Sequence, residues 1–130
     1  MRLLAALVVV AAACGGDKKA VDAGHDSPPP IDAPPPSVLT VDCASVTPVG
    51  ATITTIDGTF AYMPATDTIN LNDVKQFTMS STHNVVPNAT MSDPGLHVNF
   101  NETKCLKFTK QGTFGFHCGP HGFQGSITVQ

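Results

Sequence analysis

The 130-residue chain has no tryptophan, a single tyrosine, and only seven lysines and arginines against ten aspartates and glutamates. Nucleic-acid phosphates reward dense clusters of basic side chains. No basic stripe exists here, so nucleic acid is excluded as a partner. No apolar run approaches the roughly 20 residues that cross a bilayer as a helix. No stretch carries a convincing 3.6-residue period, and there is no internal repeat, which sets helical bundles and repeat arrays aside. The length leaves room for one domain. Glycine and proline are plentiful, at 11 each, so turns are frequent.

What is present begins with an address. Arg2 precedes an eleven-residue apolar run, Leu3 to Ala13, that ends in Ala11-Ala12-Ala13-Cys14. Length and small-residue exit fit a signal peptide. Small residues directly before a cysteine resemble the lipobox of bacterial lipoproteins, whose cysteine becomes the lipidated N-terminus. Ala11 stands where Leu, Val or Ile is usual, and an ordinary signal peptide with an incidental Cys14 is the other reading. Gly15 and Gly16 follow without an acidic residue, which leans towards the outer membrane. Up to Ser37 the chain carries two triple-proline runs and few apolar residues, the composition of an extended spacer. His25 lies in it and is read as solvated. The expected organisation is a signal peptide over 1–13, a lipidated Cys14 with a proline-rich linker over 14–37, and a folded domain over 38–130.

Within that domain, short runs rich in β-branched and aromatic residues follow one another: Ala51–Ile56, Thr68–Leu71, Lys75–Met79, Leu96–Phe100, Lys104–Phe108, Thr113–His117 and Ser126–Val129. Turn residues separate them at Asp57-Gly58, Asn72-Asp73, Asp93-Pro94-Gly95 and Gln111-Gly112. Short strands at close spacing predict an all-β antiparallel sandwich or barrel.

The stretch that carries chemistry is Phe114-Gly-Phe-His-Cys118-Gly-Pro-His121-Gly-Phe-Gln124. A thiolate and an imidazole three residues apart on one loop can reach a common metal, and that soft pair suits copper or zinc rather than calcium or magnesium. The segment resembles the C-terminal ligand loop of the cupredoxins, of the plastocyanin, pseudoazurin and especially amicyanin type. Their upstream histidine lies in a segment similar to Thr82-His83-Asn84-Val85-Val86, and Phe60-Ala-Tyr62-Met-Pro64 resembles their early strands. The likeness covers residues 50 to 129.

It implies a Greek-key β-sandwich holding one copper ion on a trigonal plane of His83, Cys118 and His121, with a weak axial contact. The family's usual axial methionine has no counterpart, since no methionine follows Met91. The short-loop register places Gln124 there, expected to hold the potential below that of a methionine-type site. A shifted register would place Phe123 there instead. Asn84 is implied to link the two ligand loops by hydrogen bonds, and Pro120 has no N–H to give. His117 is expected to face away from the metal, and His97 to be exposed. With Cys118 a ligand, Cys43 and Cys105 remain. A disulfide is the economical reading for an exported protein, two unpaired buried cysteines its rival.

The function implied is a one-electron carrier at the bacterial cell envelope, not an enzyme, acting as a monomer on redox protein partners and held to the membrane by its lipid. His121, Gly122 and Phe123 would be the docking face. A copper-delivery module and a structural domain with incidental metal are the alternatives. No His-x-His pair exists to build the further metal centre of a copper enzyme.

Overall fold

A computed structural model of the chain describes residues 34–89 and 93–130. The expected signal peptide, Cys14 and linker residues 15–33 lie outside them. Eight strands form: β1 (Val38–Val41), β2 (Ile53–Thr54), β3 (Thr66–Ile69), β4 (Val74–Thr78), β5 (Val86–Pro87), β6 (Thr103–Phe108), β7 (Gly112–His117) and β8 (Gln124–Val129). The one helical piece among the described residues is a 3-10 turn at Cys43–Ser45, whose Ala44 amide donates to the Asp42 carboxylate at 3.0 Å.

The strands make two four-stranded sheets, ordered β1-β6-β4-β2 and β3-β8-β7-β5. This is an all-β fold in two sheets, as expected, but the pairing is not purely antiparallel. β2 runs parallel to β4, and β3 runs parallel to β8. The chain leaves β2 to form β3 in the other sheet before it returns as β4, and a crossover of that length permits parallel pairing where a tight hairpin does not.

Two further expectations change. Leu96–Asn99 alternates in burial, with Leu96 and Val98 buried and His97 and Asn99 exposed, but Phe100 breaks the pattern and is exposed. Its ladder is nevertheless a single bridge, Val98 to Val85, so the alternation reports burial and not a strand. β1 was not among the expected strands. It pairs with β6 from Val38↔Phe108 to Val41↔Cys105.

Ile53, Phe77, Leu106 and Phe108 from one sheet meet Phe114, Phe116, Ile127 and Val129 from the other in the core. Burying each such side chain is worth about 1.5–3 kcal/mol. Phe116 is central, edge-on to Tyr62 at 4.8 Å and to Phe77 at 5.7 Å, a geometry that aromatic quadrupoles favour. Lys75 is fully buried on β4, pairs with Asp67 of β3 and donates to the Val49 carbonyl at 3.1 Å. It ties the sheets together at one edge.

Two devices fasten the N-terminal strand. Cys43 and Cys105 form a disulfide with Cα atoms 5.3 Å apart and a sequence separation of 62; the β1–β6 register sets Cys105 opposite Val41. Closing a loop of that length restricts the unfolded chain by about 4 kcal/mol. At the other end of β1, the Ser37 amide and hydroxyl both donate to Asp93 at 2.6 Å. Gly95 completes this clamp, because a Cβ there would lie 1.8 Å from the Val38 carbonyl oxygen.

Candidate metal centre

β7 turns Phe114 and Phe116 towards the core. Side chains alternate along a strand, so Cys118, just past its end, shares their face and is fully buried. The chain then doubles back at once. Gly122 N–H donates to the Cys118 carbonyl at 2.7 Å, and Cys118 N–H donates to the Phe123 carbonyl at 3.0 Å. Gly122 supplies the left-handed turn, with φ of 72°. This tight loop presents His121 at the surface above the thiol.

His83 arrives from the segment before β5. Asp57 fixes the turn in front of it, accepting from Ser81 Oγ at 2.6 Å, Thr82 Oγ1 at 2.7 Å and Thr82 N at 3.1 Å. These bonds, the Ser81 hydroxyl's foremost, hold the Asp57 carboxyl far below its usual value. Behind His83, Val85 bridges to Val98. Asn84 Oδ1 accepts from Gly119 N at 2.8 Å, so Asn84 joins the two ligand loops. Pro120 sits exposed at the tip.

Three donors converge. His83 Nδ1 and His121 Nδ1 are 3.1 Å apart, and Cys118 Sγ lies 3.6 Å from the first and 3.5 Å from the second. A point equidistant from them is about 2 Å from each, the length of bonds between such donors and a borderline-soft ion. Two imidazoles this close have little to offer one another beyond one hydrogen bond, whereas one copper or zinc ion would satisfy all three donors. Among the described residues no carboxylate joins the set. His83 and Cys118 are fully buried, and His121 is exposed. The site is therefore dry behind and open at one imidazole.

The fourth expected ligand is corrected. Gln124 pairs with His117 across the β7–β8 ladder, and directly opposed residues share a face. That face is the outer one. Gln124 lines a surface groove of about 300 Å³ with Thr66, Asn88, Thr113 and Ser126. Phe123, one residue earlier, faces the donors instead: its ring is edge-on to His83 at 5.1 Å and stacked on His121 at 6.3 Å. Gln124 is thus not the group set against the plane.

His117 is half-buried on the outer face, its Nδ1 2.7 Å from Asn88 Oδ1, and His97 is exposed. Neither joins the donor group. Two aromatic residues were missed as parts of the site. Phe60, 64% exposed, tilts over His121 with centroids 4.9 Å apart. Buried Tyr62 packs on Phe123 at 4.7 Å and donates its hydroxyl to the Asn84 carbonyl at 2.6 Å. Their signal was the Phe60-Ala-Tyr62-Met-Pro64 run, noted for its strand likeness and not for its side chains. Phe60 also replaces Phe123 as the apolar group beside the exposed imidazole.

No protein-family model and no curated protein matches the sequence. Solved structures do. An oxidised methionine-to-lysine mutant of amicyanin aligns over 72% of this chain and 99% of its own, at 20% identity and a TM-score of 0.56. Amicyanin from Paracoccus versutus aligns over 73% and 99%, at 17% identity and a TM-score of 0.55. A proline-to-glycine mutant of amicyanin in its reduced Cu(I) form aligns over 72% and 99%, at 20% identity and a TM-score of 0.55. At these identities the likeness shows the fold, a cupredoxin-like β-sandwich.

Proposed function

We propose that the protein is a mononuclear type 1 copper protein that carries single electrons between redox partners at the bacterial cell envelope. The observation that carries this reading is the convergence of His83 Nδ1, Cys118 Sγ and His121 Nδ1 into a triangle of 3.1–3.6 Å sides with only His121 exposed. Copper bound there supplies reversible one-electron chemistry through a thiolate and two imidazoles.

The chain's residues do the rest. Asp57, Asn84 and the backbone bonds of the Cys118–Phe123 loop hold the donors in place before any ion arrives, so neither oxidation state requires ligand movement. Burial of His83 and Cys118 excludes water from two of the three donors. The exposed edge of His121, flanked by Phe60, Pro120 and Gly122, is the surface at which partners dock. A reduced partner loses one electron to the site and an oxidised partner gains it. No substrate bond is made or broken, so the protein is a carrier and not an enzyme. All three donors belong to one chain, and a monomer suffices. A delivery role fits less well, because ion exchange would have to pass two fully buried ligands.

The placement at the envelope rests on residues 1–14, read as a signal peptide and a lipidated Cys14 that anchors the protein to the membrane. The copper reading is tested by the visible absorption of the Cu(II)-loaded protein. An intense thiolate-to-copper band is expected, lost in Cys118→Ser. A colourless Cu(II) complex, or stable binding of zinc only, would overturn it.

A further inference from the structure

Three features bear on how the centre treats the charge of its ion. The core side of the donor set is closed by Phe123, a ring held edge-on to both His83 and Tyr62. No carboxylate, further imidazole or second thiol joins the three donors among the described residues. Gln124 lies on the other face, and the Met79 sulfur faces the Thr55 hydroxyl at 3.9 Å. Finally, His83 Nε2 is buried without a hydrogen-bond partner. A ligating imidazole ordinarily donates that N–H to an acceptor, which makes the ring a stronger base towards the metal.

We infer that the centre offers its ion three donors and no fourth, with Phe123 in the place of an axial ligand, and that it thereby favours Cu(I) over Cu(II). The comparison is with the same plane completed by an amide or a thioether. The inference rests on the copper reading above. A doubly charged ion gains more from each added donor than a singly charged one. Phe123 adds none, and an imidazole with no acceptor behind it donates less. A dry aromatic shell acts in the same direction, because it solvates the extra charge poorly. The expected potential is therefore higher than a glutamine ligand would give, the reverse of the expectation from the loop sequence.

The test is the ratio of Cu(II) to Cu(I) affinity, by chelator competition, with the midpoint potential by voltammetry, on the full chain. Gln124→Ala is expected to change the ratio by less than about twofold, whereas Phe123→Gln raises it at least about tenfold, a fall of about 59 mV for a one-electron couple. The Cu(II) EPR spectrum should change in Phe123→Gln and stay constant in Gln124→Ala. A tenfold change in Gln124→Ala overturns the inference, and that exposed position decides it even if Phe123→Gln fails to fold. So does a Phe123→Gln protein that keeps the thiolate band at an unchanged potential. Loss of the copper reading itself is a different result: no thiolate band in the wild type.

Discussion

Tyr62 donates its hydroxyl hydrogen to the carbonyl of Asn84, the residue that also receives the Gly119 amide. One phenol thus steadies the junction between both ligand loops. Burial pushes the Tyr62 phenol far above its usual value, and the charge of nearby Cys118 pushes it further, so the hydroxyl stays a donor. Tyr62→Phe keeps the ring contacts with Phe116 and Phe123 and strands the carbonyl. The apo protein is expected to lose about 1–3 kcal/mol, read as a lower denaturant midpoint at unchanged slope. An unchanged midpoint would mean that water or a loop shift replaces the bond. The three converging donors were legible because residue type and spacing encode them: two histidines and a cysteine within two short motifs. The axial position was not. Which face Gln124 occupies depends on its pairing with His117, and parity cannot be counted from Cys118 through a loop that is not a strand. Phe60 and Tyr62 reach the site only through the packing of one sheet on the other.

Strands that pair over five or six residues were readable from composition and alternation: β4, β6, β7 and β8 fall within one or two residues of expectation. Pairings made by two residues were read less well: β2 keeps only Ile53–Thr54 of the expected run Ala51–Ile56, and β5 was not among the expected strands, since both owe their place to their partners. The same holds for β1, whose sequence Val-Leu-Thr-Val follows prolines and becomes a strand against β6. Its start depends on the Asp93 clamp. Burial raises the Asp93 carboxyl, but the Ser37 and Gly95 hydrogen bonds outweigh it and leave the value lowered from 3.8. A carboxyl depressed by folding stabilises the protein above its unfolded value, and that contribution is lost as pH falls through the folded value. Asp93→Asn should therefore lower the thermal midpoint at pH 7, and the gap from wild type should narrow below about pH 4. A gap that is constant with pH would show that the clamp does not depend on ionisation.

At the scale of the whole molecule, the proposal reads residues 1–13 as an address and 14–37 as a spacer, and the described structure begins at Pro34. If Cys14 is the lipidated N-terminus, the native protein should partition into the detergent phase and Cys14→Ser into the aqueous phase. Equal partitioning of both into water would remove the anchor from the proposal. Any protein tethered at one end and gripped by partners elsewhere bears mechanical load along its backbone. Here the Cys43–Cys105 bond offers that load a shortcut. With Cys14 as the anchor, a pull between it and the docking face at His121 runs to Cys43, crosses to Cys105 and continues to His121, so the intervening loop of the chain is relieved of tension. His83, Asp57 and Phe60 all lie inside the relieved loop, while Cys118 and His121 lie outside it.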